Sequence, residues 1–265
     1  MNNSSLVTYT RISPNKTSPR RSKIDMVIIH CIVAQWTAKQ CCDYFANTSA
    51  QSSSNYAVGK DGSIGLCVDE KDRAWTSGGK DKNGNPIRVN GISGADIDHR
   101  AITIEVASDK TAPYKVTDEA YKSLITLLVD ICQRNDIKEL RWKADKSLVG
   151  QLDKQNMAVH QWFANKDCPG EYLYNLHFDI AKEVNARLNS EPTEKTLYKV
   201  QVGAFSNLSY ARELEAELKK LGFDTYIVKV GSYHKVQVGA YSEKSNAEAM
   251  KQKVIKAGYN CFITK

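Results

Sequence analysis

The C-terminal quarter of the chain repeats itself. Residues 198–205 read YKVQVGAF and residues 234–241 read HKVQVGAY, an offset of 36. The offset persists, matching Gly203 to Gly239, Gly222 to Gly258, Phe223 to Tyr259 and Ile227 to Ile263. Each copy opens on alternating valines, Val200 and Val202 or Val236 and Val238, the period of a half-buried strand. A helical face follows, Ala211, Leu214, Leu218 and Leu221 in one copy and Ala247, Met250, Val254 and Ala257 in the other. Ser245 and Glu248 are spaced as a capping box for the second helix. Gly222 and Gly258 suit the position after a helix end, where φ is often positive. Branched and aromatic residues then resume, so the unit is βαβ, twice. Two copies are too few for a solenoid and predict a small ferredoxin-like βαββαβ domain over residues 197–265.

The polar run at 189–196, which contains Pro192, reads as a linker. Beyond it, residues 196–265 carry 11 Lys and Arg against 6 Asp and Glu, most of the chain's net charge of +7. Such an excess suits an anionic polymer, whether nucleic acid or cell wall, and equally a face made for solubility. No basic stripe interleaved with aromatics is present of the kind single-strand binders use, so nucleic acid is not expected as a partner.

Residues 1–188 read as an α/β domain, a mixed sheet flanked by helices. Met26 to Ile29 is a branched apolar run ending at His30. Thr37 can cap a short helix through Phe45. Asp61-Gly62 lies between apolar stretches, a hairpin signal. Ala101 to Val106 alternates as a strand. Residues 118–134 and 172–188 have helical apolar faces. The Gly-, Asn- and Asp-rich stretch 78–98 reads as a long surface loop. No stretch approaches ~18 apolar residues, so membrane insertion is not expected.

Three side chains stand out for their chemistry: His30 at a strand end, His160 after an apolar run, and Cys168 eight residues later. Two imidazoles and a thiolate suit zinc, and three protein ligands leave a position open for water. Spacing alone is weak support for such a set. Lys166, two residues before Cys168, can steady a developing oxyanion. Glu105 is a carboxylate in an apolar strand, facing solvent or serving a function. His99, His177 and His234 read as surface or capping residues. Of the seven cysteines, Cys31, Cys41, Cys67, Cys132 and Cys261 read as buried small hydrophobes in a reducing compartment.

In order, VIIHC, SSSNYAVGKDGSI, DRAW, HRAITIEV and VHQWFANKDCPG resemble the zinc-dependent N-acetylmuramoyl-L-alanine amidases. That family is shared by phage lysozyme-like amidases, bacterial autolysins and animal peptidoglycan recognition proteins. The resemblance covers about residues 22–188. The C-terminal repeat is similar to SPOR domains, which bind peptidoglycan glycan strands. The resemblance implies zinc held by His30, His160 and Cys168, a transition-state role for Lys166, a catalytic Tyr56, and a strand glutamate, Glu105, that serves some members as a base. Where members often carry His, this chain has Asn55 and Thr76, a departure that bears on substrate contacts. Asn55, Trp75 and Trp162 are the expected substrate contacts, the tryptophans against sugar rings or else in the core.

The expected reaction is hydrolysis of the bond between N-acetylmuramic acid and L-alanine, with the glycan strand and stem peptide of peptidoglycan as partners. Two alternatives stay open: a cysteine hydrolase using Cys168 and His160, and a non-catalytic wall-binding protein. The polar N-terminus lacks a secretory signal pattern. The expectation is therefore synthesis in the cytoplasm and action on the wall after release through a membrane pore or by lysis. Homo-oligomerisation is left open.

Overall fold

Branched apolar residues in unbroken runs form strands covered on both faces. Met26–Cys31 (β2) is buried at every position, and Ala101–Val106 (β5) at all but Glu105. The computed structural model describes residues 3–190 and 197–265, and the chain divides into two compact units between Ser190 and Glu191. Most of the expected linker, residues 191–196, lies outside the described residues.

In the first unit, four shorter strands complete a six-stranded sheet: Tyr9–Thr10 (β1), Tyr56–Val58 (β3), Ile64–Leu66 (β4) and Met157–Ala158 (β6). Their order is β1-β4-β3-β5-β2-β6. Only β3 and β4 pair antiparallel, as the hairpin expected at Asp61-Gly62; the other neighbours are parallel. The register sets Ala57, Glu105 and His30 side by side in one row, and Tyr56, Ile104 and Ile29 in the next. Side chains alternate along strands, so the two rows point to opposite faces.

The face carrying Tyr56 and Ile104 is covered by two long helices, Asp118–Arg134 (α2) and Gly170–Asn189 (α3), which also pack on each other. Leu124, Leu127, Leu128 and Ile131 of α2 are fully buried, each stabilising the fold by roughly 1.5–3 kcal/mol. On the other face the short Ala38–Phe45 (α1) packs its Cys41, Cys42 and Phe45 on Ala57, and Thr76 Oγ1 bonds Thr103 Oγ1. Thr37 caps α1, as its sequence predicts, and Gln40 makes the cap a reciprocal box. The rest of that face is left for a cleft beside His30 and Glu105.

The stretch 78–98 departs from the surface loop expected of it. Arg88–Val89 and Ile92–Ser93 pair as a hairpin, with Asn90 and Gly91 at φ 51° and 79°. Asn-Gly between apolar residues is the signal for such a turn. The chain then forms a five-residue helix, Gly94–Asp98, capped by Ser93, with Gly94, Ile97 and Asp98 buried. Arg20, itself buried, donates to the carbonyl oxygens of Glu70, Asp72, Asp98, His99 and Ala101. It thereby closes the C-terminal end of that helix.

The second unit contains Tyr198–Phe205 (β7), Leu208–Lys220 (α4), Thr225–Val230 (β8), Tyr233–Tyr241 (β9), Lys244–Lys256 (α5) and Phe262–Thr264 (β10). The sheet is antiparallel, ordered β8-β9-β7-β10, the ferredoxin-like arrangement the repeat predicts. Val200, Val236 and Val238 form its core with Ala211, Leu218, Ala247 and Val254. The capping box expected from Ser245 and Glu248 does not form. The helix begins one residue before Ser245, and Glu243 at the cap position makes no side-chain bond. Among the described residues no helix is long and apolar enough to cross a membrane.

Candidate metal centre

His30 is fully buried in β2, where register with Glu105 holds it on the α1 face of the sheet. His160 opens a single 3-10 turn after β6, and Cys168 closes the loop that follows, just before α3. The loop returns on itself through Gln161 N–H donating to the Cys168 carbonyl at 2.9 Å. One ligand atom from each of His30, His160 and Cys168 lies within 4.8 Å of the others. Cys168 Sγ is 3.3 Å from His30 Nδ1. Tetrahedral ligands at zinc distances stand roughly 3.3–3.8 Å apart, so the pair is spaced as zinc requires.

The electrostatics suit a cation. Burial, with the neighbouring His160 and Lys166, holds the His30 imidazole well below its ordinary value. Burial and Lys166 lower His160 to about 4. Both rings are therefore neutral at pH 7 and offer lone pairs. His160 Nε2 is buried with no hydrogen-bond partner among the described residues. An orphaned buried acceptor is costly unless something binds it. A hydrogen bond with the Cys31 side chain, burial and Glu105 raise the Cys168 thiol; a bound cation reverses that preference and favours the thiolate. The donor set and the orphaned nitrogen thus fit zinc.

A cleft of 380 Å³ opens at this place, lined by Tyr44, Thr76, Glu105, Tyr114, Lys166 and Cys168 among others. Glu105 Oε2 is buried with no partner among the described residues, and burial pushes its carboxyl up to about 8. Lys166 is exposed on the cleft wall. A larger groove, 840 Å³, lies between the Glu139–Leu148 region and α3 and holds none of these groups. Chemistry, not volume, locates the site.

Other expected site residues fall elsewhere. Tyr56 is in the row facing the helices, with its hydroxyl donating to Glu70 Oε1 at 2.6 Å and accepting from Ser4 N–H at 2.9 Å. It cannot reach the cleft from that face, so the expected catalytic role has no geometric basis. Asn55 is fully buried and bonds the backbone of Val68, Asp69, Asp72 and Thr103. Trp162 is in the core, stacked on Trp142 with centroids 5.3 Å apart. Trp75 is 38% exposed, but its indole N–H donates to Thr17 Oγ1 and it does not line the cleft. None of the three is placed as a substrate contact. His177, expected on the surface, is wholly buried on α3, with Nδ1 2.6 Å from the Leu173 carbonyl oxygen. His99 is also buried, and its Nδ1 accepts from Arg21 N–H.

Sequence reasoning missed the segment behind the histidines. Ser77 Oγ lies 3.4 Å from His30 Nε2, and the Gly78 backbone stands beside the His160 ring. Asp98 holds this segment by accepting from Thr76 N–H and Ser77 N–H at 3.0 and 2.9 Å. It went unseen because Asp98 stands in a stretch whose composition reads as loop.

The family model described as N-acetylmuramoyl-L-alanine amidase matches residues 20–171, and that of the SPOR domain matches residues 194–265. Among solved structures, the peptidoglycan binding domain of the B. subtilis cell wall lytic enzyme CwlC is 32% identical. The match covers 28% of this chain and 95% of that one, with a TM-score of 0.26. PlyL is 14% identical over 66% of this chain and 95% of its own, with a TM-score of 0.46. AmpD is 18% identical over 67% and 96%, with a TM-score of 0.45. No curated protein sequence matches the chain.

Proposed function

Given that this chain belongs to the N-acetylmuramoyl-L-alanine amidase family, we propose that it hydrolyses the amide bond between N-acetylmuramic acid and L-alanine in peptidoglycan, using zinc. The observation that carries the reading is the convergence of His30, His160 and Cys168 within 4.8 Å beside a cleft that also presents Glu105 and Lys166. His30, His160 and Cys168 hold the metal. Zinc, when bound, supplies Lewis acidity to a carbonyl and makes water a better nucleophile near neutral pH.

The chain's own groups account for the remaining chemistry. Lys166 places a positive charge on the cleft wall, where it stabilises negative charge developing on the carbonyl oxygen. In the metal-free protein burial pushes the Glu105 carboxyl up to about 8; a cation held beside it would favour the carboxylate, which lies on the cleft to take the proton that the attacking water gives up. It is suited to deliver that proton to the leaving alanine nitrogen. Tyr56 takes no part. The second unit, matched by the SPOR domain, holds the chain on peptidoglycan strands. Action on the wall follows release from the cell of synthesis, as a phage endolysin or an autolysin.

Digestion of purified peptidoglycan, with mass analysis of the fragments, tests the reaction. New N-terminal alanine without new reducing sugar ends is expected. Reducing ends would mean a glycosidase, and no release at all would favour a wall-binding protein. Cys168→Ser removes the sulfur ligand and is expected to abolish zinc retention by elemental analysis. Hydrolysis should fall by at least about 100-fold, beyond the ~10–100-fold typical of changes behind the ligands. Activity that survives full removal of metal by a chelator would instead support Cys168 as a nucleophile.

A further inference from the structure

We propose that Asp98 and Gly94 are positioning residues for the metal centre, acting through the segment Thr76–Gly79 to fix the outer nitrogens of His30 and His160. The proposal rests on the metal-dependent reading above and assigns to the helix Gly94–Asp98 the task of setting how tightly the centre takes zinc.

Both histidines turn one ring nitrogen toward the cluster and the other toward the same stretch of chain. His30 presents Nδ1 to Cys168 and leaves Nε2 at 3.4 Å from Ser77 Oγ. His160 leaves Nε2 without a partner among the described residues, and the Gly78 backbone stands beside its ring. The partner of the outer nitrogen selects the tautomer and aims the ring, so whatever holds residues 76–79 also aims the two ligands.

That segment is gripped from three sides. Asp98, 1% exposed, takes both the Thr76 and Ser77 N–H groups on Oδ2. Its Oδ1 has no partner among the described residues. Those two backbone bonds are therefore the work this buried carboxylate performs. Gly94, at the other end of the same helix, lies directly against the segment, since a Cβ there would stand 1.9 Å from the Ser77 carbonyl oxygen. A Cβ at Gly79 would stand 2.4 Å from the carbonyl oxygen of Phe163 and 2.6 Å from Ala164 Cα, in the turn that carries His160. Thr76 Oγ1 completes the grip by donating to the Ser53 carbonyl at 2.7 Å. The helix has its own anchors, the Ser93 cap and the Arg20 bonds to the Asp98 and His99 carbonyls.

The test measures metal binding on the full chain. Zinc affinity is read by competition with a chromophoric chelator, and ligand geometry by the visible spectrum of the cobalt(II)-substituted protein. Asp98→Asn removes the charge that holds two N–H groups, and Gly94→Ala drives a methyl against Ser77 from the opposite end. Each is expected to weaken zinc by about 10–100-fold and to shift the cobalt spectrum, with native far-ultraviolet circular dichroism. If both variants fold and bind zinc within twofold of the parent, with an unchanged cobalt spectrum, the proposal is overturned. Should neither fold, Ser77→Ala decides. It deletes only the hydroxyl at His30 Nε2, and a weakened affinity with a shifted spectrum supports the proposal, while parental values overturn it. A parent chain that binds neither zinc nor cobalt would overturn the metal-dependent reading and this proposal together, an outcome distinct from failure of the variants alone.

Discussion

The Tyr56 hydroxyl, 2.6 Å from Glu70, belongs to a buried polar cluster in which Arg134 pairs with Glu70 at 2.6 Å and Asn135 donates to it at 3.1 Å. Burial and the nearby Glu70 carboxylate raise the phenol well above its ordinary value, so it stays a neutral donor. Tyr56→Phe strips that donor from a buried carboxylate and should cost about 1–3 kcal/mol in urea unfolding. It should leave the rate of wall hydrolysis within about twofold of the parent. A drop of a hundredfold at unchanged stability would restore a catalytic tyrosine. His30 and Glu105 were legible because an apolar strand with one titratable residue poses its own question. Tyr56 was not, because a strand's faces alternate at every residue and the motif alone does not say which face a position takes. Asn55 and Trp162 misled for a related reason. A polar or aromatic residue near a motif is as often satisfied by backbone or core as turned to a ligand.

At the scale of elements, long apolar periodicities were read well. The helices Asp118–Arg134 and Gly170–Asn189 and the strands around His30 and Glu105 all appear close to where their patterns put them. The five-residue helix Gly94–Asp98 was not read, since a helix of one turn has too few residues for a period and its stability comes from caps and packing. It carries a pH signature. Burial raises the Asp98 carboxyl from 3.8 to about 6. A group that holds its proton more tightly when folded favours the fold fully below about 4, and that contribution is lost as pH rises through about 6. Over this window the metal-free protein should lose about 3 kcal/mol of stability to Asp98. Asp98→Asn should flatten that part of the profile, as read from urea midpoints between pH 4 and 7. Equal slopes in parent and variant would assign the charge elsewhere.

At the scale of the molecule, each unit has its own hydrophobic core, one around the six-stranded sheet and one around Val200, Val236 and Val238. Independent cores predict independent melting. A chain ended after Ser190 should unfold with the same midpoint as the first unit has in the full chain. It should keep its hydrolytic rate on soluble wall fragments while sedimenting less with intact walls. A midpoint lowered by more than a few degrees would show that the second unit supports the first. The repeat made the smaller domain legible as a ferredoxin-like βαββαβ unit, whereas the larger one, lacking internal symmetry, yielded its elements but not its register. The order β8-β9-β7-β10 has a consequence for that repeat: each strand of one copy is bonded only to strands of the other. Deleting 36 residues would therefore not leave half a wall anchor but a lone strand–helix–strand with no sheet to join. Two such halves supplied as separate peptides would have to find each other in solution before either could fold.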